Sequence, residues 1–173
     1  MKIIISKILV IGSLFYSSIV IAEDQWWSYL SAQENGPSST RVDLSFNNSA
    51  PLQDYVYVVV SGITFSDKNR QGLPSPFQLD SLNTLQEDLL SFLESKLPYK
   101  YAGTFTYQHE QLHYIYVQNK ETAQKVFKEF YLTACKDCKS YINVKYDPQW
   151  SGYTNFLYPS KQIIKYYGLK INP

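Results

Sequence analysis

The alternation of strand-like and helix-like segments between residues 54 and 146 restricts the fold of this chain more than any other feature. Residues 54–65, DYVYVVVSGITF, form a nearly continuous β-branched and aromatic run, which predicts a largely buried strand. A helix should follow, because Ser75 suits an N-cap, Pro76 the first helical position and Gln78 the third position of a capping box. Its predicted apolar stripe consists of Leu79, Leu82, Leu85, Leu89 and Leu93.

The second half of this region has two strand-like segments before its helix. Residues 100–109 and 112–118 show the two-residue period of paired strands. Residues 119–134 have helical periodicity, and residues 140–146 again resemble a strand. The order β-α-β-β-α-β predicts an α+β fold with a ferredoxin-like core. We expect two additions to this core: an N-terminal β-hairpin over residues 26–46 and a short C-terminal helical tail.

The first 22 residues have the layout of a secretory signal peptide. Lys2 and Lys7 precede an uncharged run, which ends in small residues at Ala22. This run is shorter than the roughly 20 apolar residues of a membrane span. We therefore expect export to the periplasm or the extracellular space, and a mature single α+β domain over residues 23–173 that has no membrane span.

The charge balance of the chain restricts the classes of partner. The sequence has 16 Lys and Arg residues and 15 Asp and Glu residues, so removal of Lys2 and Lys7 with the signal leaves 14 basic against 15 acidic residues. Nucleic acids and anionic membrane surfaces attract strongly basic proteins. We therefore do not expect nucleic acid to be a partner.

Two cysteines, Cys135 and Cys138, lie close together in the sequence CKDC. In an exported protein a pair this close tends to be oxidised, which predicts a local disulfide. A thioredoxin-like redox pair is the alternative, but such a pair follows a strand and begins a helix. The CKDC pair follows a predicted helix and precedes a predicted strand, so the order of elements favours a structural disulfide.

Residues 109–113, HEQLH, match the H-E-x-x-H pattern of zinc hydrolases and contain both histidines of the chain. The pattern requires a helix, on which His109 and His113 could share a zinc ion with Glu110 as general base. The flanking residues alternate with the period of strands, so we predict a hairpin with Glu110 and Gln111 in its turn. The two imidazoles would then point to opposite faces of the sheet, and we expect no metal or other cofactor.

The sequence offers two further candidate sites. The loop before the first helix contains Asp67 and Arg70, and binding residues often lie in such loops. Residues 147–160, DPQWSGYTNFLYPS, are rich in aromatic side chains. Here we predict a short helix with Asp147 as N-cap and Pro148 at its first position, followed by a second short helix from Ser160. We interpret this segment as a hydrophobic lid over the sheet, and an aromatic stacking platform is the alternative.

Several of these motifs together resemble a known family. WWSYL, RVDLSF, RQGLPS, LQEDLLSFL, KYAGTFTY, HYIYV and especially YDPQWSGYTNFLYPS make the chain similar to the bacterial domain of unknown function family 695, from about Trp26 to Pro159. The resemblance implies an α+β domain and supplies no catalytic residues. Its most specific motif contains Asp147, Pro148, Trp150, Tyr153, Phe156, Leu157, Tyr158 and Pro159.

These observations favour a binding function over catalysis. The near-neutral charge and the 16 tyrosines suit a protein that binds another protein, since tyrosine is enriched at interfaces. We therefore expect an exported, non-enzymatic binding protein, for example an immunity protein or an inhibitor. Two alternatives remain open: a zinc-dependent hydrolase that uses HEQLH, and a thiol-disulfide protein that uses CKDC.

Overall fold

The computed structural model of the protein describes residues 25–66 and 71–170. The predicted signal peptide, residues 1–22, lies outside the described residues. The strands are β1 (Trp26–Gln33), β2 (Gly36–Asp43), β3 (Tyr57–Thr64), β4 (Tyr99–Tyr107), β5 (Glu110–Val117) and β6 (Ser140–Tyr146). The helices are α1 (Pro76–Glu94), α2 (Lys120–Ala134) and α3 (Lys161–Tyr167), with a 3₁₀ helix at Leu44–Asn48 and a π-helical turn at Gly152–Leu157.

All six strands form one antiparallel sheet in the order β1-β2-β4-β5-β3-β6. The predicted α+β class is confirmed. The N-terminal hairpin does not stand apart, because β2 pairs with β4 and so extends the sheet by two strands. The strand order is therefore more complex than that of a simple four-stranded core.

Helices α1 and α2 cover one face of the sheet, which we call the helix face. Ser75 caps α1 as predicted, since its side chain accepts a hydrogen bond from the backbone N–H of Gln78. Leu82, Leu89 and Leu93 are buried. The apolar core on this face also contains Val59, Ile115, Val117, Phe127 and Phe130. The predicted stripe is wrong at its first member, because Leu79 is exposed, while the polar Gln86 is buried.

The opposite face, which we call the lid face, is covered by the C-terminal segment and the 3₁₀ helix. Its core is largely aromatic and contains Tyr29, Val42, Tyr116, Trp150, Tyr153 and Leu157. Phe105, Tyr114 and Tyr116 also lie on the lid face, because Tyr101, Ile115 and Val117 of the same two strands take the helix face.

The β4–β5 hairpin is confirmed, but its turn lies two residues earlier than predicted. Gln108 and His109 form the turn, both with positive φ, and Glu110 is the first residue of β5, opposite Tyr107. Tertiary contacts fix this position, since the His109 N–H donates to the Gly72 carbonyl and the Phe65 N–H donates to the His109 carbonyl. A Cβ on Gly72 would lie 2.9 Å from the Gln108 Cα, so the close approach requires glycine.

The two edges of the sheet differ. Strand β6 pairs with β3 on one side only, whereas the outer edge of β1 is in contact with α3. The Tyr167 hydroxyl accepts a hydrogen bond from the Leu30 N–H (3.1 Å) and donates one to the Leu30 carbonyl (3.2 Å). Helix α3 begins at the Ser160 N-cap and ends at Gly168, as predicted. In residues 25–66 and 71–170, no helix has the length and apolarity needed to cross a membrane.

Candidate functional site

The carboxylate of Asp147 organises the start of the C-terminal segment. Its Oδ1 accepts a hydrogen bond from the Ser151 N–H (2.8 Å), and its Oδ2 accepts from the Gly152 N–H (2.9 Å) and the Tyr116 hydroxyl (2.8 Å). Asp147 thus accepts hydrogen bonds from the start of the helical turn, but the N-cap position belongs to Ser151, so the predicted N-cap at Asp147 is wrong. Pro148 lies in a turn that precedes the helix, so its predicted place at the first helical position is wrong.

Trp150 is fully buried and links the lid to the sheet. Its ring stacks on Tyr116 with centroids 3.9 Å apart, and its indole N–H donates to the Tyr55 carbonyl (2.8 Å). Its φ of 54° turns the chain sharply before the helical residues, which delays the helix relative to the sequence prediction. Burial and the bond to Asp147 raise the pKa of the Tyr116 hydroxyl well above its ordinary value.

The remaining residues of this segment complete the lid. Tyr153 and Leu157 are buried, the Tyr153 hydroxyl donates to the Asp43 carbonyl, and the Leu157 carbonyl accepts from the Tyr29 hydroxyl. Pro159 is buried and Tyr158 half-buried, while Phe156 is 44% exposed and contacts the rings of Phe105 and Tyr114. Since its largest aromatic rings face inward, the segment closes a core and leaves little aromatic surface for stacking.

The HEQLH segment lies on a turn and a strand rather than on a helix. His109 is in the turn beside Phe65, Glu110 is exposed, and His113 is buried on the helix face. The two imidazoles thus lack the helical spacing that the zinc motif requires. Among the described residues, no three or more His, Cys, Asp and Glu side chains are grouped so that they could hold a metal ion.

Cys135 and Cys138 lie at disulfide distance at the end of α2, with their Cα atoms 5.2 Å apart. The backbone N–H of Cys138 donates to the Cys135 carbonyl, which closes the turn between α2 and β6. The pair is therefore part of a tight connection. The other candidate loop residues, Asp67 and Arg70, lie outside the described residues.

A groove on the helix face was not predicted from the sequence. Packed helices lie about 10 Å apart and neighbouring strands about 4.8 Å apart, so two helices cover roughly four strands. The hairpin β1–β2 extends beyond that cover, which leaves a cavity of about 360 Å³ beside α1. We call it the α1 groove, and its lining residues are Ser28, Ser39, Arg41, Leu79, Asn83, Gln86, Thr104, Thr106 and Gln111.

A second cavity of about 470 Å³ continues the α1 groove along the helix. It shares Arg41 and Gln86 with the first cavity and also contacts Trp26, Asp43 and Lys100. Both volumes fall in the range of ordinary ligand pockets. Together the two cavities form a trough between α1 and the first strands, lined by both polar and apolar side chains.

A buried hydrogen-bond network forms the inner wall of the α1 groove. The Tyr101 hydroxyl donates to Gln86 Oε1 (2.8 Å) and lies 3.2 Å from His113 Nδ1, and the Thr104 hydroxyl contacts all three side chains. Burial lowers the pKa of His113 to about 4, so its imidazole is neutral near pH 7. Burial also raises the pKa of the Tyr101 phenol well above its ordinary value. The Thr104 hydrogen bond and the Arg41 charge lower the same pKa by a smaller amount.

Arg41 is the cationic group at the centre of the two cavities. Its guanidinium carbon lies 4.7 Å from the centroid of the Trp26 ring, and its side chain is exposed. The nearby acid Asp43 is buried, and its Oδ1 accepts a hydrogen bond from the Ser45 N–H (2.8 Å). Within the described part of the chain, the ion pair found is Lys96 with Glu129, and Arg41 has no carboxylate within salt-bridge distance.

The sequence contained a weak signal for the α1 groove. Ser39, Arg41 and Asp43 alternate with Thr40 and Val42 in β2, so one face of this strand is polar. Thr104 and Thr106 alternate in the same way in β4. Only the register, which places Arg41 opposite Thr104 and Ser39 opposite Thr106, brings these polar positions together.

The sheet, its two covering layers and the α1 groove define a mixed α+β domain with a polar surface cleft. The model of a family of unknown function, DUF695, matches residues 24–158. The chain therefore belongs to the DUF695 family, as the motifs in its sequence had suggested. Neither the comparison with curated proteins nor that with solved structures found a match.

Proposed function

We propose that the protein is an exported, non-enzymatic binding protein, and that the α1 groove binds a segment of another protein. The observation that carries this proposal is the composition of the groove. Its inner wall, formed by Gln86, Thr104, Thr106 and Gln111, is polar and buried. The guanidinium of Arg41 at its centre is exposed and has no carboxylate within salt-bridge distance among the described residues. A surface of this kind supplies hydrogen bonds to a polar chain segment.

The polar groups that acid–base chemistry would use already have structural roles. His113 is buried in the network with Tyr101 and Thr104, and both oxygens of Asp147 accept backbone or hydroxyl hydrogen bonds. These bonds support a binding role over a catalytic one. The immunity or inhibitor form of the proposal takes the partner to be a toxin or an enzyme of the same compartment.

Two features support export. Residues 1–22 have the composition of a signal peptide, and Cys135 and Cys138 lie at disulfide distance, which suits an oxidising compartment. Such a compartment would be the periplasm or the extracellular space. Protease protection of the tagged protein in intact cells, lost when the outer envelope is opened, tests the periplasmic form.

We also propose that the strands β3, β4, β5 and β6 have the ferredoxin-like arrangement. Its support is their order, β4-β5-β3-β6, with antiparallel pairing at each contact and with α1 and α2 on one face. In this description the hairpin β1–β2 is an addition at one edge. The hairpin contributes to the proposed function, because it forms the part of the sheet that the two helices leave uncovered beside the α1 groove.

Co-purification from the native compartment tests the α1 groove as the binding surface. Asn83→Trp places a bulky side chain at an exposed α1 position that lines the groove. Ser81→Trp is the matched control, because Ser81 is exposed on the same helix and does not line either cavity. We expect a partner that is retained by the wild type and the control and lost with Asn83→Trp. Equal retention by all three proteins would contradict the proposal.

A further inference from the structure

We propose that Arg41 binds a carboxylate side chain that the partner segment brings into the α1 groove. This inference rests on the proposed function, which supplies the segment, and it adds the chemistry that recognises it. The ligand is a single aspartate or glutamate side chain of the partner segment.

The guanidinium of Arg41 is held in place but not neutralised. The guanidinium carbon lies 4.7 Å from the centroid of the Trp26 ring, and no carboxylate of the described residues lies within salt-bridge distance, so the N–H groups are available to a ligand. An arginine fork matches the two oxygens of a carboxylate. Asp43 lies two residues away on the same strand face, but its side chain caps the 3₁₀ helix through the Ser45 N–H.

Hydroxyl groups surround this position on the same face of the sheet. Arg41 pairs with Ser28 of β1 on one side and with Thr104 of β4 on the other, and Ser39 lies two residues along β2. All three also line the groove. A carboxylate at Arg41 therefore meets the hydroxyl groups of Ser28 and Ser39 in addition to the guanidinium, whereas the Thr104 hydroxyl is already bonded within the buried network.

The charge of the two cavities fits a single carboxylate. Among the described residues, the charged side chains that line them are Arg41, Lys100 and Asp43, which leaves one net positive charge. One carboxylate neutralises this charge. A phosphate dianion would leave a negative charge in the cleft, where Arg41 is the only arginine of residues 25–66 and 71–170 that could form a fork.

Titrations of the mature protein with defined probes test the inference. The probes are the blocked tripeptide acetyl-Gly-Glu-Gly-amide, its Gln counterpart and free succinate. The readout is the NMR signal of the Arg41 Nε–H and of the Trp26 indole N–H. We expect the Glu peptide to shift both signals, the Gln peptide to bind roughly tenfold to a hundredfold more weakly, and Arg41→Gln to remove the difference.

A matched variant and a second probe make the result specific. Lys100→Gln removes the other cation of the two cavities and should keep most of the preference for Glu over Gln. Equal binding of the Glu and Gln peptides would overturn the carboxylate site. Binding of succinate without binding of the Glu peptide would overturn the partner side chain as the source of the carboxylate.

The co-purification experiment distinguishes an error in the carboxylate site from an error in the binding surface. In the co-purification experiment, Arg41→Gln should release the partner as Asn83→Trp does. Loss with Asn83→Trp together with full retention by Arg41→Gln would keep the groove as the binding surface and overturn the carboxylate contact. Retention by both variants would overturn the groove itself.

Discussion

The two faces of the sheet are formed by the same strands but differ in structure: the lid face is closed by packed aromatic side chains, and the helix face is open at its hairpin end. On the lid face, Tyr116, Trp150 and Tyr153 pack against one another, and their polar atoms bond to other parts of the protein. On the helix face, at the hairpin end, Arg41 and its hydroxyl neighbours remain open. The concentration of aromatic residues thus marks structure in this protein, and the recognition surface that we propose is mainly polar.

The difference follows from what covers each face. The C-terminal segment is long enough to lie across the strands from β2 to β5, so large side chains there can be fully buried. The two helices end short of the hairpin, and apolar side chains at that end would face water. Strand positions with similar sequence patterns thus differ in burial, because different layers lie above them.

The first prediction concerns Trp150, where we expect the largest effect on stability. Trp150→Ala should lower the free energy of unfolding by about 3–5 kcal/mol, because it removes a fully buried ring and its stacking on Tyr116. Urea denaturation followed by circular dichroism measures the change. Phe156→Ala is the matched control and should cost about 2 kcal/mol or less, because that ring is 44% exposed.

If the two substitutions lowered the free energy of unfolding equally, the burial of Trp150 would contribute little to the stability of the lid. The contrast between the two faces would then fail. A small cost for Trp150→Ala, within about 1 kcal/mol of zero, would contradict the interpretation of the segment as a core-closing lid.

The second prediction concerns the pH dependence that His113 confers on the groove wall. Its pKa is about 4 in the folded protein and near 6.5 when unfolded, so the unfolded chain binds more protons between these values. The free energy of unfolding should therefore fall as the pH falls from about 6.5 towards 4, by up to about 3 kcal/mol from this residue. The Tyr101 hydroxyl lies 3.2 Å from His113 Nδ1 and is neutral in this pH range, so it offers no negative charge that would favour the imidazolium.

Urea denaturation of the wild type and of His113→Gln at pH 7.0 and at pH 4.5 measures this effect. The variant loses the titrating group, so its stability should depend less on pH than that of the wild type. Parallel pH profiles for the two proteins would show that His113 is accessible to protonation in the folded state.

The third prediction concerns Arg41, where we expect the smallest effect on stability. Arg41→Gln should change the free energy of unfolding by about 1 kcal/mol or less, because the side chain is exposed and its contact with Trp26 is a cation–π interaction. Urea denaturation measures this change in the same way. A cost comparable to that of Trp150→Ala would mean that the groove is a structural core, and the contrast between the two faces would fail.

The sequence predicted the local structure well where the signal lies within a few residues. The Ser75 cap and the Ser160 and Gly168 boundaries of α3 depend on side chains next to the backbone groups that they satisfy. The interpretation of residues 147–160 as a hydrophobic lid agrees with the burial of Trp150, Tyr153 and Leu157. Their helix was misplaced because Trp150 adopts a left-handed conformation that its residue type does not indicate.

Features that depend on distant parts of the chain could not be predicted. The turn at Gln108 and His109 is held by Gly72 and Phe65, and nothing in the sequence Gln-His favours positive φ. The α1 groove depends on the pairing of Arg41 with Thr104, which are far apart in the chain. Gln86 looked like an interruption of a leucine stripe, and its role as partner of Tyr101 is visible only in three dimensions.

The contact of Tyr167 with Leu30 has a consequence for self-association. An open sheet can act as a template for further strands at both of its edges, and repeated addition at both edges produces fibrils. Here the Tyr167 hydroxyl occupies the outward N–H and carbonyl of Leu30, which obstructs the β1 edge, while β6 has no second strand partner within residues 25–66 and 71–170. If two copies joined through β6, each would use the edge that the described strands leave open, and the assembly would end as a closed pair.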